Sequence, residues 1–242
     1  MNEQTLPEAA YPVDVRNRVK RRHDRGAYDH ASVHAVLDAG MLAHVSYVID
    51  GQPYCTPTIH WREGTRLYWH GSSASRMLRA QAGGVPVCVT VAMLDGLVMA
   101  RTGMNHSANY RSVMCFGEAA LVEGAEEKSA ALLAMIDRYF PGRNATLREF
   151  SAQDIKATKV VGMEIAAASA KVRADLNHDE PEDLDNPTWA GVIPVSTVIG
   201  APEPCPHNGP EAIRSGLDAY APGRRLDEAM VELAHLYEGA AR

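Results

Sequence analysis

The turns between the apolar runs constrain the fold of this chain most. Residues 41–49, 53–61 and 66–70 have the length and composition of strands, and the segments 50–52 (Asp-Gly-Gln) and 63–64 (Glu-Gly) separate them. Short Gly-containing segments between such runs are typical of hairpins. Because turns this short cannot carry a parallel crossover, the sequence predicts that consecutive strands are antiparallel neighbours.

Further strand-like runs follow this meander. Residues 86–94, 96–101 and 110–123 are apolar, and Gly117 is predicted to interrupt the last of them with a bulge. Apolar side chains alternate with other side chains along residues 159–174, which predicts one more long strand. The sequence therefore predicts a mainly β fold, in which six to seven antiparallel strands form a barrel.

Helical patterns flank the predicted strands. Spacing and end signals predict a helix from Ala31, with Ser32 as its cap, and further helices over residues 75–82, 126–140 and part of 210–242. In the last of these segments, apolar residues recur at helical spacing at Leu226, Met230, Leu233, Leu236 and Tyr237, which indicates packing rather than a cofactor site. The expected architecture is a barrel with flanking helices.

Composition divides the chain into three expected parts. Residues 1–30 are dense in charge and are predicted to form an N-terminal arm, and residues 31–175 form the barrel domain. Residues 176–242 begin with an acidic, turn-rich stretch and carry six prolines between positions 187 and 210. Because proline lacks a backbone N–H, this part is predicted to be an extended segment and C-terminal helices packed on the barrel.

Charge and motif content exclude several functions. Acidic residues outnumber basic residues 30 to 24, which argues against a nucleic-acid partner. The sequence contains no apolar run of about 18 residues, so no membrane span is predicted. The N-terminus lacks an apolar signal core, so export through a signal peptide is not expected. The four cysteines form no CxxC pair, so a reduced, cytoplasmic protein is expected. His60 and His70 have no acidic residue beside them, so no metal site is predicted.

The segment 70–76 (His-Gly-Ser-Ser-Ala-Ser-Arg) is a candidate phosphate site. It follows a predicted strand and precedes a predicted helix, whose first amide N–H groups are free. Glycine permits close approach, the three serines offer hydroxyl groups, and Arg76 adds a planar cation. The alternative is that Ser72 or Ser73 only caps the helix.

Two other segments have open interpretations. Residues 105–112 (Asn-His-Ser-Ala-Asn-Tyr-Arg-Ser) hold seven hydrogen-bonding side chains in eight positions, which indicates either a binding site or a solvated loop before a strand. Trp189 lies among small residues, and its ring can cover a flat ligand or anchor the proline-rich segment to the barrel.

The order of these motifs resembles the pyridoxamine 5′-phosphate oxidase-related flavin-binding proteins. More narrowly, it is similar to the flavin-nucleotide-binding branch that includes the nitroimidazole-resistance proteins. Residues 40–80, 86–91, 105–123 and 189–195 carry the resemblance, which extends over roughly residues 33–195. It implies a split β-barrel domain that binds FMN non-covalently, usually between the two chains of a homodimer.

The resemblance also implies site residues. His70 and His106 are the candidate catalytic residues, since a histidine at the end of the strand that matches His70 lies close to the cofactor or substrate in the nitroimidazole-resistance relatives. The candidate cofactor-binding residues are Pro57, Thr58, Ile59, His60, His70, Gly71, Ser72, Ser73, Ser75, Arg76, Ser107, Asn109, Tyr110, Arg111, Ser112 and Trp189.

The implied function is redox chemistry on a flavin. An FMN-dependent oxidoreductase acting on a small molecule, such as a nitro compound, is the leading hypothesis. The alternatives are a flavin-storage protein without turnover and a haem-binding split-barrel protein, and FAD or a deazaflavin can take the place of FMN. The arginine and histidine pattern by which the true oxidases hold their substrate phosphate is not found near the C-terminus, so vitamin B6 oxidation is not expected.

Overall fold

The computed structural model describes residues 9–209 and 211–240. Nine strands are assigned: β1 (Gly26–Ala27), β2 (Leu42–Ile49), β3 (Gln52–Glu63), β4 (Arg66–Ser72), β5 (Gly83–Met99), β6 (Ser107–Leu121), β7 (Thr158–Glu164), β8 (Ala167–Arg173) and β9 (Gly191–Pro194). The α-helices are α1 (His30–Ala39), α2 (Arg76–Ala80), α3 (Ala125–Tyr139), α4 (Ala152–Ala157) and α5 (Leu226–Ala240).

Six strands close into a ring in the order β2, β3, β4, β7, β6 and β5, because β5 pairs with both β6 and β2. All described strand pairs are antiparallel. The other three strands extend this sheet, with β8 on β6, β1 on β8 and β9 on β5. The predicted mainly β split barrel with flanking helices is confirmed.

Two apolar cores stabilise the fold. The first fills the ring, where the side chains of Trp69, Leu67 and Val45 have no exposed surface. The second lies outside the ring, where Trp61 and Tyr68 pack against helices α3 and α5. Alternation along β4 produces both cores, since successive side chains of a strand point to opposite faces.

The ring is open along part of the boundary between β3 and β4. These strands pair only from His60 with Trp69 to Glu63 with Arg66. Residues 52–59 of β3 pair with β2, and residues 70–72 of β4 pair with β7. In the described chain, this leaves one edge of β3 without a ladder partner, and this opening is called the split below.

Two strand predictions were wrong. The two strands predicted over residues 86–94 and 96–101 are one strand, β5, which ends at Met99 and in which the register shifts between Leu94 and Gly96. The predicted bulge at Gly117 is absent from the ladder, which runs without a shift from Cys88 with Phe116 to Pro86 with Glu118. Gly117 has a packing role instead, because a Cβ atom there would lie 2.2 Å from the carbonyl oxygen of Glu164.

Two further boundaries differ from the predictions. The single strand predicted over residues 159–174 is two strands, β7 and β8, which pair with different halves of β6. Helix α1 begins one residue earlier than predicted, and Asp29 rather than Ser32 caps it by accepting a 2.7 Å hydrogen bond from the Ser32 amide. A carboxylate is a strong N-cap, so the helix begins directly after Asp29, whose carboxylate accepts this hydrogen bond.

The two flanking parts of the chain contact the barrel. In the N-terminal part, the Asn17 amide group donates a 2.9 Å hydrogen bond to the carbonyl oxygen of Ala168, and Tyr11 is buried. In the C-terminal part, β9 is an edge strand and α5 packs on the second core. None of the helices assigned in the described residues has the length and apolar character needed to cross a bilayer.

Candidate functional site

The turn between β4 and α2 lies beside the split. The Ser75 hydroxyl caps α2 by accepting a 3.5 Å hydrogen bond from the Leu78 amide, and the Ser72 hydroxyl accepts one of 3.2 Å from the Ala74 amide. Ser75, not Ser72 or Ser73, is therefore the helix cap. The Ser73 amide donates to the carbonyl oxygen of Ala157 at 2.7 Å, which joins the turn to the start of β7.

The turn carries positive charge. The guanidinium of Arg76 lies 4.4 Å from the ring centroid of Tyr54 on β3, so it spans the split. No carboxylate within 4.0 Å of Arg76 is found among the described residues. Arg79 donates to the carbonyl oxygen of Ala74 at 2.8 Å, and Lys159 is the ladder partner of Gly71. In a chain with a net charge of −6, these cations give the turn a locally positive potential.

The predicted cofactor residues of β3 fall on two faces. Pro57 and Ile59 are exposed on the outer face of the strand. Thr58 and His60 alternate with them and point toward the interior, where His60 is paired with Trp69 and is 2% exposed. The burial separates the His60 ring from the split, whereas Thr58 is partly exposed.

His70 lies on the outer face of β4, together with Tyr68. Its ring centroid is 6.1 Å from that of Trp61, which is stacked on Tyr68. Burial lowers the pKa of His70, so the imidazole is neutral near pH 7. Its Nδ1 is buried without a hydrogen-bond partner. His60 and His70 therefore face opposite sides of the sheet and do not form a pair.

The buried imidazole of His60 predicts a pH dependence of stability. Burial lowers the pKa of His60 from 6.5 to about 4, and burial lowers the pKa of His34 to about 4 as well. The unfolded chain binds these protons near pH 6.5, whereas the folded chain binds them only near pH 4. The free energy of unfolding should thus fall as the pH drops through this window.

The measurement is the urea midpoint at several pH values. We expect the midpoint of the wild-type protein to fall between pH 6.5 and 4 and the fall to be smaller in His60→Gln, which loses the His60 contribution and retains those of His34 and His70. A wild-type midpoint that is constant over this range would contradict the lowered pKa values of His60 and His34.

The segment 105–112 is largely engaged within the chain. The Asn109 side chain donates to the carbonyl oxygen of Asp175 at 3.0 Å and accepts from Arg173. The Ser112 hydroxyl donates to the carbonyl oxygen of Lys171 at 3.3 Å. Three of the seven polar side chains here, those of Asn109, Arg111 and Ser112, therefore join β6 to its neighbours, a role that local sequence did not distinguish from ligand binding.

Arg111 connects the barrel to helix α5. It donates to both carboxylate oxygens of Asp95, at 2.7 and 3.0 Å, and to Asp227 at 2.7 Å. Asp95 and Asp227 were not predicted as site residues, and no local motif marks them. The three side chains line a cavity of about 430 Å³ that also includes Leu42, Leu94 and Leu226. Because its charge is already compensated, Arg111 is a weaker candidate for a phosphate contact than Arg76.

The remaining predicted residues lie at the far end of β6. His106 and Ser107 are exposed, Tyr110 is half-buried, and Trp189 packs against Gly191, where a Cβ atom would lie 2.9 Å from its ring. Strands β2 and β5 separate β3 from β6, a distance of roughly 14 Å at the usual strand spacing. Within one chain, the turn at residues 70–76 and the predicted residues of β6 are therefore not in contact. The assignment of both sets to one cofactor site remains a prediction.

The fold and the open boundary between β3 and β4 define a split-barrel protein. The sequence profile of the pyridoxamine 5′-phosphate oxidase family matches residues 29–172, which is more than half of the chain. The chain belongs to this family. The resemblance inferred from the motifs is confirmed.

Solved structures extend the similarity beyond the barrel. The flavocytochrome Anf3 from Azotobacter vinelandii is 44% identical, with a TM-score of 0.79 over 86% of this chain and 95% of that one. The FAD and haem binding protein from Mycobacterium smegmatis is 33% identical, with a TM-score of 0.78 over 84% and 98% of the two chains.

A more distant similarity concerns the fold alone. A 5-nitroimidazole antibiotic resistance protein from Bacteroides thetaiotaomicron is 22% identical, with a TM-score of 0.50 over 61% of this chain and 86% of that one. A search of curated proteins yields no match.

Proposed function

We propose that this protein is a flavocytochrome, a redox protein that holds a flavin and a haem in a homodimer. The observation that carries the proposal is its similarity, at 44% and 33% identity and over more than four fifths of the chain, to two proteins described as a flavocytochrome and as an FAD and haem binding protein. This extends the FMN-dependent oxidoreductase suggested by the sequence and makes FAD the favoured flavin.

The turn beside the split suits the phosphate end of a flavin. Arg76 offers N–H groups that no described carboxylate occupies, and the Ser73 hydroxyl has no described partner. Charge-assisted hydrogen bonds of this kind are the strong contacts that a phosphate requires. The edge of β3 at the split offers backbone N–H and C=O groups to the polar edge of the flavin ring. The flavin supplies the hydride and electron chemistry when bound.

A second copy of the chain completes the proposed site. The outer faces of β2, β3, β5 and β6 form a row in which Pro57, His44, Thr90 and Met114 are successive ladder partners. Apolar side chains on this surface are exposed, including Leu42 at 57%, Val48 at 60% and Met114 at 42%. Exposed apolar side chains of this kind favour an interaction site, and pairing two such faces would bring the β6 residues of one chain toward the turn of the other.

Two observations favour redox turnover over storage. His70 provides a neutral imidazole next to the split, and a neutral ring can accept or return a proton during turnover. A protein that only stores flavin needs the flavin contacts alone. The proposed haem carries one electron, so it is of use only when electrons leave the flavin one at a time during turnover. A small oxidisable or reducible molecule is the proposed substrate class.

The test is an analysis of the cofactors that copurify with the full-length chain. We expect oxidised-flavin absorption, release of a small molecule with the mass of FAD, a haem Soret band, and reduction of the haem when the flavin is reduced. Size-exclusion chromatography with light scattering is expected to give a dimer. A protein that is colourless and binds neither FAD, FMN nor haemin in titrations would refute the proposed function.

A further inference from the structure

We propose that Nε2 of His106 is the axial ligand of the haem iron, and that the porphyrin lies on the apolar outer face of the β-arm. The β-arm is the three-stranded extension formed by residues 96–99 of β5, 107–109 of β6 and 191–194 of β9. This inference rests on the proposed function, and it names the residue through which this chain would hold the second cofactor.

The hydrogen bond of His106 determines which ring nitrogen is free. Its Nδ1 lies 2.8 Å from the carbonyl oxygen of Thr102. A carbonyl oxygen can only accept, so Nδ1 carries the hydrogen and Nε2 of the neutral ring keeps its lone pair. Histidines that bind metals commonly donate their other N–H to a backbone carbonyl, because this bond fixes the tautomer and the ring orientation.

A short turn holds this geometry. Residues Gly103–Asn105 form a single 3₁₀ turn between β5 and β6, and the Asn105 amide donates to the same Thr102 carbonyl oxygen at 3.2 Å. His106 is exposed and follows the turn with an extended backbone. The imidazole is therefore both accessible and oriented, which are the two properties an axial ligand needs.

The β-arm presents an apolar face next to His106. Leu97 is the ladder partner of Ala108 on one side and of Ile193 on the other, and Leu97 and Ile193 are 42% and 45% exposed. Since side chains alternate along each strand, Met99 lies on the same face as Leu97, one position closer to His106. Trp189 packs over Gly191, the ladder partner of Met99.

The size and flatness of this face suit a porphyrin. Three strands span roughly 10 Å, which is close to the width of the macrocycle, and large apolar side chains at its rim stay exposed, with Met104 at 93% and Trp189 at 62%. A soluble chain rarely leaves such side chains together without a ligand or partner to cover them. Haem is the occupant we assign to this face, because the oriented imidazole of His106, with its Nε2 free, lies at the edge of the face.

The other histidines lack this combination. The side-chain hydrogen bond of His34 occupies its Nε2 with the Tyr11 hydroxyl at 2.8 Å. His60 is buried, and the buried Nδ1 of His70 has no acceptor to orient its ring. His44 and His178 are exposed but have no hydrogen bond that fixes a tautomer.

The experiment compares haem binding by His106→Ala with the matched controls His178→Ala and His207→Ala, each an exposed histidine outside the proposed dimer face. Haemin titration followed by the Soret band, together with electron paramagnetic resonance of the ferric protein, reports the ligation. We expect His106→Ala to lose the wild-type Soret position and spin state and to bind haemin at least about tenfold more weakly, while the flavin content stays unchanged.

Added imidazole should restore the wild-type spectrum of His106→Ala, because it replaces the missing ligand. A wild-type spectrum and affinity in His106→Ala, or a loss of ligation in His178→Ala or His207→Ala alone, would overturn the assignment of His106 and leave the flavocytochrome proposal intact. A wild-type protein that binds flavin but takes up no haemin would overturn both.

Discussion

Replacing Asp38 by asparagine should destabilise the folded protein by about 3–5 kcal/mol, because it leaves the buried Arg138 without a counter-charge and the buried Arg62 with only the half-exposed Glu238. Asp38 accepts from Arg62 at 2.5 and 3.2 Å, and its carboxylate lies 3.9 Å from Arg138. The side chains of both arginines are 4% exposed, and that of Asp38 is 13% exposed. Glu238 also contacts Arg62, but it is 44% exposed and cannot compensate for both cations.

The measurement is the free energy of unfolding from urea titrations of the wild-type protein and Asp38→Asn at equal protein concentration. Glu164→Gln is the matched control, because Glu164 is 67% exposed and lies 3.9 Å from its partner Arg66. Exposed pairs contribute about 1 kcal/mol or less, so the control should change little. An equal loss in the two variants would contradict a special role for the buried Asp38 cluster.

Replacing Arg76 by alanine should weaken flavin binding by about tenfold to a hundredfold. The guanidinium lies across the split from β3 and is the cation we assign to the flavin phosphate. Losing a charge-assisted hydrogen bond costs about 1.5–3 kcal/mol, which corresponds to this range of affinity. Arg76→Lys should recover only part of the affinity, because an ammonium group cannot bind a phosphate through two parallel hydrogen bonds.

Flavin fluorescence titration of the apoprotein measures this effect, with FAD and FMN titrated separately. Arg148→Ala is the control, because Arg148 is an equally cationic side chain, 72% exposed and paired with Asp154 away from the split. Its replacement should leave the affinity unchanged. An Arg76→Ala protein that binds both flavins as tightly as the wild-type protein would show that the phosphate lies elsewhere.

The strand content of this fold was predictable because its signals are local. The hairpin signals at residues 50–52 and 63–64 lie within a few positions of the strands they join, and the turns occur there, with Asp50 and Gly51 both at positive φ. The errors concern features that depend on distant partners. Gly117 looked like a bulge, but its small size is required by the carbonyl oxygen of Glu164, 47 positions away.

The candidate site was predictable in part. The segment 70–76 has the residues of an anion site in sequence, and the fold places it beside the split with a free cation. The segment 105–112 was as rich in polar groups, yet Asn109 and Arg111 are bonded within the chain. A count of hydrogen-bonding side chains cannot separate these cases, because it contains no information on whether a partner is already present.

The amino-acid sequence determined the antiparallel strand order of the meander, the positions of most helices and the chemistry of the serine and arginine turn, because short turns and side-chain alternation act over a few residues. The tertiary structure alone decided that Arg111 is neutralised by Asp95 and Asp227 and that His60 is buried while His70 faces outward. These features depend on ring closure and on the register of paired strands, which bring groups up to 116 positions apart into contact. Register and closure arise from the packing of the whole core and have no local signal.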